Sequence, residues 1–572
     1  EETVDGEYQK IKSMNGKYVR DTWFSKYPET AEMVANMSDD EIWRLNRGGH
    51  DPLKVYAAYD AAMQHKGQPT IILAKTVKGF GMGSAGEGQN TAHQQKKLDI
   101  EELKRFRDRF NIPVSDRDID DVPYFKPAPD SAELEYMMEC RNALGGFLPQ
   151  RRSKSKALSV PSVDAFRTQL DGTGEREAST TMAFVRMLTA LMRDKQVGKH
   201  IVPIVPDEAR TFGMEGLFRQ VGIYASKGQL YEPQDSDELM YYRETKEGQI
   251  LEEGINEAGA FCSWLAAGTS YSNHDVPMVP FYIYYSMFGF QRIGDFVWAG
   301  GDLQSRGFLI GGTAGRTTLA GEGLQHQDGH SLVAASTIPN CVSYDPTYAY
   351  ELAVIIQDGL RRMMAEQENI FYYITCMNEN YAHPPMPPGV EDGILRGMYL
   401  LQVADHGKIR VQLLGSGTIL REVIAAAKLL IEDFGIPADV WSVTSFNELR
   451  RDALEVERWN HLHPGEEPRK SYIEQKFDGK SGPFVAATDY MKIVADQIQR
   501  WVPGTFLSLG TDGYGRSDAR RELREHFEVD RRFIAISALM ALVDDGALDR
   551  KTVAQAIEKY GIDPDRPDPV ML

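Results

Sequence analysis

Cysteine is scarce: Cys140, Cys262, Cys341 and Cys376 are the four in 572 residues, and none stands in CxxC spacing. That excludes a zinc knuckle and a disulfide framework. Three of the four lie in apolar segments, so buried reduced thiols and a cytoplasmic setting are expected. There is no run of 18 apolar residues, hence no membrane helix of ordinary length is expected. Positive charge is in deficit: 64 Lys and Arg against 83 Asp and Glu leave a net charge of −19, contrary to a surface built to coat nucleic acid. GxSxG, a Walker lysine and HExxH are all missing. The start, Glu1-Glu2-Thr3-Val4-Asp5, has neither initiator Met nor a signal-peptide core, and reads as the interior of a longer protein.

What is there is an ordinary globular composition, 42% hydrophobic, in a chain too long for one core. Residues 115–160 are rich in Pro, Asp, Ser and Arg, and Pro384-Pro385-Met386-Pro387-Pro388-Gly389 is a second break. These divide the chain at 1–156, 157–386 and 387–572. Short β-branched runs predict strands at 68–75, 200–206, 279–285, 308–313, 341–346, 411–414, 438–443, 484–488 and 506–509. Helical stretches between them imply α/β domains with doubly wound, mostly parallel sheets.

The first strand empties into Lys78-Gly79-Phe80-Gly81-Met82-Gly83-Ser84-Ala85-Gly86-Glu87 and on to His93. GxGxxG is formally satisfied, but the following dozen residues are polar and open no apolar helix, so a dinucleotide fingerprint is rejected. A mobile loop carrying Lys78, Glu87 and His93 is expected instead. Gln249 to Ala260 reads as the opening of a helix that runs on through Ala267, with Glu257 set among glycines and alanines. A carboxyl there must be paired, hydrogen-bonded or held protonated; the simpler alternative is a first-turn glutamate favoured by the helix dipole. Six of the ten residues from Phe281 to Phe290 are aromatic, either core or the wall of a flat-ring pocket. His93, Glu208, Glu257, His326, Asp328 and His330 all follow strands. With no nucleophile motif, the hard chemistry of such a set falls to an organic cofactor.

Four stretches carry a resemblance: Asp207–Gly216, Glu253–Gly259, Pro280–Arg292 and Gly321–His330. In order, they resemble the homodimeric pyruvate dehydrogenase first-component family, thiamine-diphosphate enzymes of the transketolase-like superfamily. The resemblance implies a transketolase-like fold, a pyrimidine-binding domain at 157–386 and a smaller α/β domain at 387–572. It implies decarboxylation of pyruvate and acetylation of the lipoyl group of a dihydrolipoyl acetyltransferase. By the same resemblance Glu257 hydrogen-bonds the cofactor's aminopyrimidine, Phe288 packs on that ring, and Ile255 and Arg292 line it. His326 and Tyr285 stand near substrate, Glu208 and Glu322 support them, His93 serves acetyl transfer, and Lys78 lies near the diphosphate. The family's Gly-Asp-Gly motif for diphosphate and Mg²⁺ does not occur. Residues 1–156 therefore read as the end of that domain, no metal ligands are expected in this chain, and the piece alone should bind cofactor poorly. A symmetric homodimer is implied. Alternatives are a related 2-oxo acid enzyme, a transketolase, or a non-catalytic assembly fragment.

Overall fold

Eight of the nine predicted strands appear where short apolar runs meet turn residues, and they assemble into two sheets. The computed structural model describes residues 2–147, 152–206, 209–233, 242–404, 407 and 409–572. These fall into two units, Glu1–Leu148 and Pro149–Leu572.

In the second unit a six-stranded sheet contains β1 (Ile201–Val205), β2 (Leu251–Glu252), β3 (Val279–Tyr285), β4 (Phe308–Gly312), β5 (Cys341–Tyr344) and β6 (Phe371–Thr375), in the order β2-β1-β3-β4-β6-β5. Every pairing is parallel. Helices cover both faces of such a sheet, which explains why β3 and β4 read as continuous apolar runs rather than alternating ones. The covering helices include α1 (Thr180–Arg193), α2 (Glu257–His274) and α3 (Ser286–Asp302). Phe281 of β3 stacks on Phe308 of β4, centroids 4.5 Å apart. From α2, Trp264 is fully buried and donates its indole N–H to the Phe308 carbonyl at 3.1 Å. The aromatic run is thus mostly core.

A five-stranded sheet follows: β7 (Met398–Gln402), β8 (Val411–Gly415), β9 (Ala438–Val443), β10 (Phe484–Ala487) and β11 (Phe506–Leu509), ordered β7-β9-β8-β10-β11. Only the edge strand β7, not foreseen from the sequence, is antiparallel. Helices α4 (Leu420–Phe434) and α5 (Arg531–Asp544) pack on this sheet, α4 over β8 and β9 and α5 over β10 and β11. The fold class is the α/β, mostly parallel arrangement expected.

Three expectations are corrected. Residues 68–75 are not a buried strand: they join no sheet among the described residues, and Ile71 and Leu73 are 85% and 92% exposed. The apolar pattern is present, but a strand needs a hydrogen-bonded neighbour, and none of the described residues supplies one. Cys262 is exposed on α2, so two thiols, Cys341 and Cys376, are buried rather than three. The glycine-rich stretch is anchored by Glu87, 2% exposed, which is ion-paired to Arg109 and Lys12 and accepts from the Gly81 and Gly83 amides. Burial alone would raise its pKa; the two cations outweigh that and hold the carboxylate below its ordinary range.

Candidate functional site

The carboxyl ends of β1, β3 and β4 are where a parallel sheet presents loops to a ligand. Three of those loops deliver side chains to one place. Behind β1, the chain of β2 turns at Gly254, whose φ of +77° favours a residue without Cβ. Asn256 then caps α2, accepting from the Gly259 amide at 3.0 Å. The stretch before Glu257 is therefore strand and turn, not the helix expected, and Glu257 is the first helical residue. It thus sits at the positive end of the helix dipole, as the simpler alternative held.

Its side chain is 11% exposed, and Oε1 accepts from Nη1 of Arg292 at 2.6 Å. Arg292 comes from the second turn of α3 and lies flat over Phe288, 4.2 Å from the ring centroid. Phe288 in turn meets His326 edge-on at 5.1 Å, and Tyr285, the last residue of β3, meets His326 at 5.1 Å and Phe288 at 6.1 Å. Phe212, from the loop after β1, closes on Tyr285 at 5.4 Å.

Two polar atoms in this cluster are buried without a partner, the Tyr282 hydroxyl and Nδ1 of His326. Burial, followed by the nearby Glu257 carboxylate, pushes the Tyr282 phenol well above its ordinary value, so it remains a neutral donor. Beyond His326, Asp328 is fully buried and accepts from the His330 and Ser331 amides at 3.0 and 2.9 Å. It shapes the loop rather than facing ligand. His330 contacts the side chain of Gln291 at 3.3 Å.

The structure therefore gathers Glu257, Arg292, Phe288, Tyr285 and His326. Ile255 flanks them but is 69% exposed. Glu322 is half-buried on the His326 loop. Glu208 lies outside the described residues. Lys78 and His93 are exposed and belong to the first unit. Sequence reasoning missed Tyr282, which only its place in the aromatic run could have flagged. It also missed the residues that hold the His326 loop, Gln327 and Gly515 to Ser517. A cleft of about 770 Å³ along α4 contains none of the expected site residues. The clustered side chains, not cavity size, mark the candidate site.

Residues 158–384 match the middle domain of the pyruvate dehydrogenase E1 component, and residues 397–530 match a transketolase-like C-terminal domain. Proteins named pyruvate dehydrogenase E1 component are similar along the whole chain. That of Pseudomonas aeruginosa is 63% identical over 100% of this chain and 65% of its own length, and that of Cupriavidus necator 60% identical over 100% and 64%. That of Escherichia coli K12 is 56% identical over 99% and 64%. The chain spans just under two thirds of the length of these relatives. Among solved structures, a transketolase from Campylobacter jejuni superposes with a TM-score of 0.58 at 15% identity, covering 89% of this chain and 70% of that one, a likeness of fold alone. With both domain matches in sequence order and the kinship unbroken from end to end, the chain belongs to the pyruvate dehydrogenase E1 component family.

Proposed function

We propose that this chain is the pyrimidine-side part of a thiamine-diphosphate-dependent pyruvate dehydrogenase (acetyl-transferring), which decarboxylates pyruvate and passes the acetyl group to the lipoyl arm of a dihydrolipoyl acetyltransferase. The observation that carries this reading is the Glu257–Arg292–Phe288–His326 cluster at the carboxyl edge of the parallel sheet. Kinship of 52–63% to proteins of that name supports it.

The residues present fit one half of the cofactor. A flat nitrogen heterocycle finds an aromatic face in Phe288, a carboxyl in Glu257, and the unpartnered Tyr282 hydroxyl close by. The metal half finds no such fit here: no group of three His, Cys, Asp or Glu side chains able to hold an ion occurs among the described residues. In this reading Mg²⁺ and its ligands belong to the part of the relatives' length that this chain does not span. When bound, thiamine diphosphate supplies the nucleophilic carbon that no side chain offers. The chain's own part is to orient and to move protons. Glu257 would hold the cofactor's ring through its carboxyl and could carry a proton there, the carboxyl being paired with Arg292 in its absence. Phe288 and Ile255 set the ring's plane, and Arg292 remains beside Glu257 as its counter-charge. His326, with its imidazole beside Tyr285 and Phe288, would donate a ring N–H to a substrate oxyanion or carboxylate, and Tyr285 closes the far side. Glu208 and Glu322 support this set, while Lys78 and His93 serve the diphosphate and the lipoyl transfer.

In the same reading residues 1–156 are the end of a diphosphate-binding domain, 157–386 the pyrimidine-binding domain and 387–572 the C-terminal domain. Two copies pair so that each site is completed across the twofold axis. A cytoplasmic setting fits the buried thiols of Cys341 and Cys376, which burial keeps protonated. The deciding experiment is pyruvate-dependent acetylation of an isolated lipoyl domain by the full-length protein with thiamine diphosphate and Mg²⁺. Acetylation is expected with pyruvate and not with sugar phosphates; turnover of sugar phosphates alone would replace this reading with a transketolase.

A further inference from the structure

Among the described residues His326 has no ring hydrogen bond to hold it: Nδ1 is buried without a partner there, and its neighbours Tyr285 and Phe288 are ring contacts. Its direction must come from its main chain. Yet residues 321–330 contain only one 3₁₀ turn, Leu324–His326, too little to fix a loop whose ordering costs about 1–2 kcal/mol per residue. What fixes it lies in the other sheet's domain, nearly two hundred residues away in sequence. The segment 515–520 runs alongside 318–327. The Gly321 amide donates to the Asp518 carbonyl at 3.0 Å, and the Ser517 hydroxyl donates to the Glu322 carbonyl at 2.6 Å. The Arg516 amide donates to Oε1 of Gln327 at 2.7 Å, and Arg520 Nε donates to the Thr318 carbonyl at 2.5 Å. Gly515 closes so tightly that a Cβ there would lie 2.5 Å from the Leu324 carbonyl oxygen. On the far side of His326, the Met491 amide donates to the Gly329 carbonyl at 2.9 Å. Gln327 itself is 1% exposed.

We propose that the C-terminal domain, which contributes no side chain to the cluster around Glu257, is the mould for the His326 loop, and that Gln327 is its principal positioning residue. Gln327 acts through the Arg516 amide: besides the Glu322 main-chain carbonyl it is the acceptor that residues 321–327 offer to the second domain's loop, it does so through a side chain, and it adjoins His326. Seating of that domain thus sets where the imidazole points. A domain with no chemistry of its own thereby gains control over whether the site is assembled. The functional consequence rests on the reading of His326 as a substrate-facing group; the mechanical claim does not.

The test uses the full-length protein with Gln327→Leu, which removes the acceptor, Gln327→Glu, which keeps an acceptor oxygen, and Ser517→Ala, which deletes one exposed hydroxyl. Amide hydrogen exchange over 321–327 and the rate of His326 carbethoxylation by diethyl pyrocarbonate, both read by mass spectrometry, need no turnover. Expected is exchange at least tenfold faster and a severalfold change in His326 labelling in Gln327→Leu, a smaller shift of the same sign in Ser517→Ala, and recovery in Gln327→Glu. Turnover of pyruvate should fall about tenfold in Gln327→Leu, with the Kd for thiamine diphosphate unchanged. Wild-type exchange and labelling in both Gln327→Leu and Ser517→Ala would overturn the clamp, as would a Gln327→Glu protein no better than the leucine variant. Should Gln327→Leu fail to fold, Ser517→Ala decides alone. If exchange and labelling respond while no variant alters turnover, the clamp stands and the role of His326 falls.

Discussion

At Glu257 a carboxylate, a guanidinium and a phenyl ring make one stack, and each depends on the next. Replacing Glu257 by Gln keeps size and polarity but cannot exchange a proton. Turnover is expected to drop at least 10²-fold, the usual reach of general acid–base catalysis, with circular dichroism and Tm near wild type. Wild-type-like exchange of the cofactor's acidic proton in Glu257→Gln would rule out the proton role. His93→Ala is expected to leave decarboxylation within a fewfold of wild type, assayed with an artificial electron acceptor, while lipoyl acetylation is lost; equal loss of both would contradict a transfer-specific role.

Elsewhere one buried acid controls stability. Asp345 accepts from Thr375 Oγ1 at 2.6 Å, but its Oδ2 is buried without a partner, and burial lifts its pKa to about 7. Between the ordinary value of 3.8 and about 7, the folded state binds this proton and the unfolded state does not. Stability conferred by protonated Asp345 is therefore present at low pH and lost as pH rises through 7, by a few kcal/mol at about 1.4 kcal/mol per unit. The Tm gap between Asp345→Asn and wild type should shift in the variant's favour from pH 5 to pH 8; a gap independent of pH would exclude the linkage. The pattern of residue types made Glu257, Phe288 and His326 legible before any coordinates. Asp345 was not, because its pKa comes from burial beneath a second domain.

At the scale of elements, most strands made of an apolar run buried on both faces were legible, as in β3, β4 and β8 to β10, whereas β6, buried at every position, was missed. Residues 68–75 show the limit of that logic. The same residue types occur there, and only the neighbours decide whether they pair. The antiparallel edge strand β7 was invisible for the complementary reason, since its residues carry no mark of direction. The helix at Glu257 was placed too early because Gly254 and Asn256 stop a strand and start a helix within three residues, closer than periodicity resolves. For the core itself, Phe281→Ala would remove a ring stacked between two parallel strands. The expected cost is about 3–5 kcal/mol, seen as a lowered urea midpoint with little change in residual activity below it.

At the scale of the molecule, the two sheet domains of the second unit are joined by charge as well as by apolar packing. Glu379, on the loop after β6, crosses to the second sheet's side by accepting from Arg421 at 2.6 Å and from Arg524; there Arg524 is also held by Glu422 of α4 at 3.6 Å, within the same domain. Arg524 is 5% exposed. Glu379→Gln would leave that buried guanidinium with Glu422 as its remaining ion-pair partner, at a cost below the about 3–5 kcal/mol of a buried charge left alone. Calorimetry should then resolve one unfolding transition into two as the domains part; a single transition at the wild-type temperature would show that apolar packing alone joins them.

The first unit carries a different consequence. The ribbon of residues 71–74 joins no sheet among the described residues and leaves an unpaired backbone edge beside the side chains of Ile71 and Leu73, which face solvent, while the Lys75 carbonyl is taken by the Gly49 amide. Such an edge is a template on which any extended segment can crystallise, and repetition of that event is how cross-β fibrils begin. Pro69 before it and Lys75 and Lys78 at its end are the residue types that discourage this growth, so the ribbon carries its own gatekeepers.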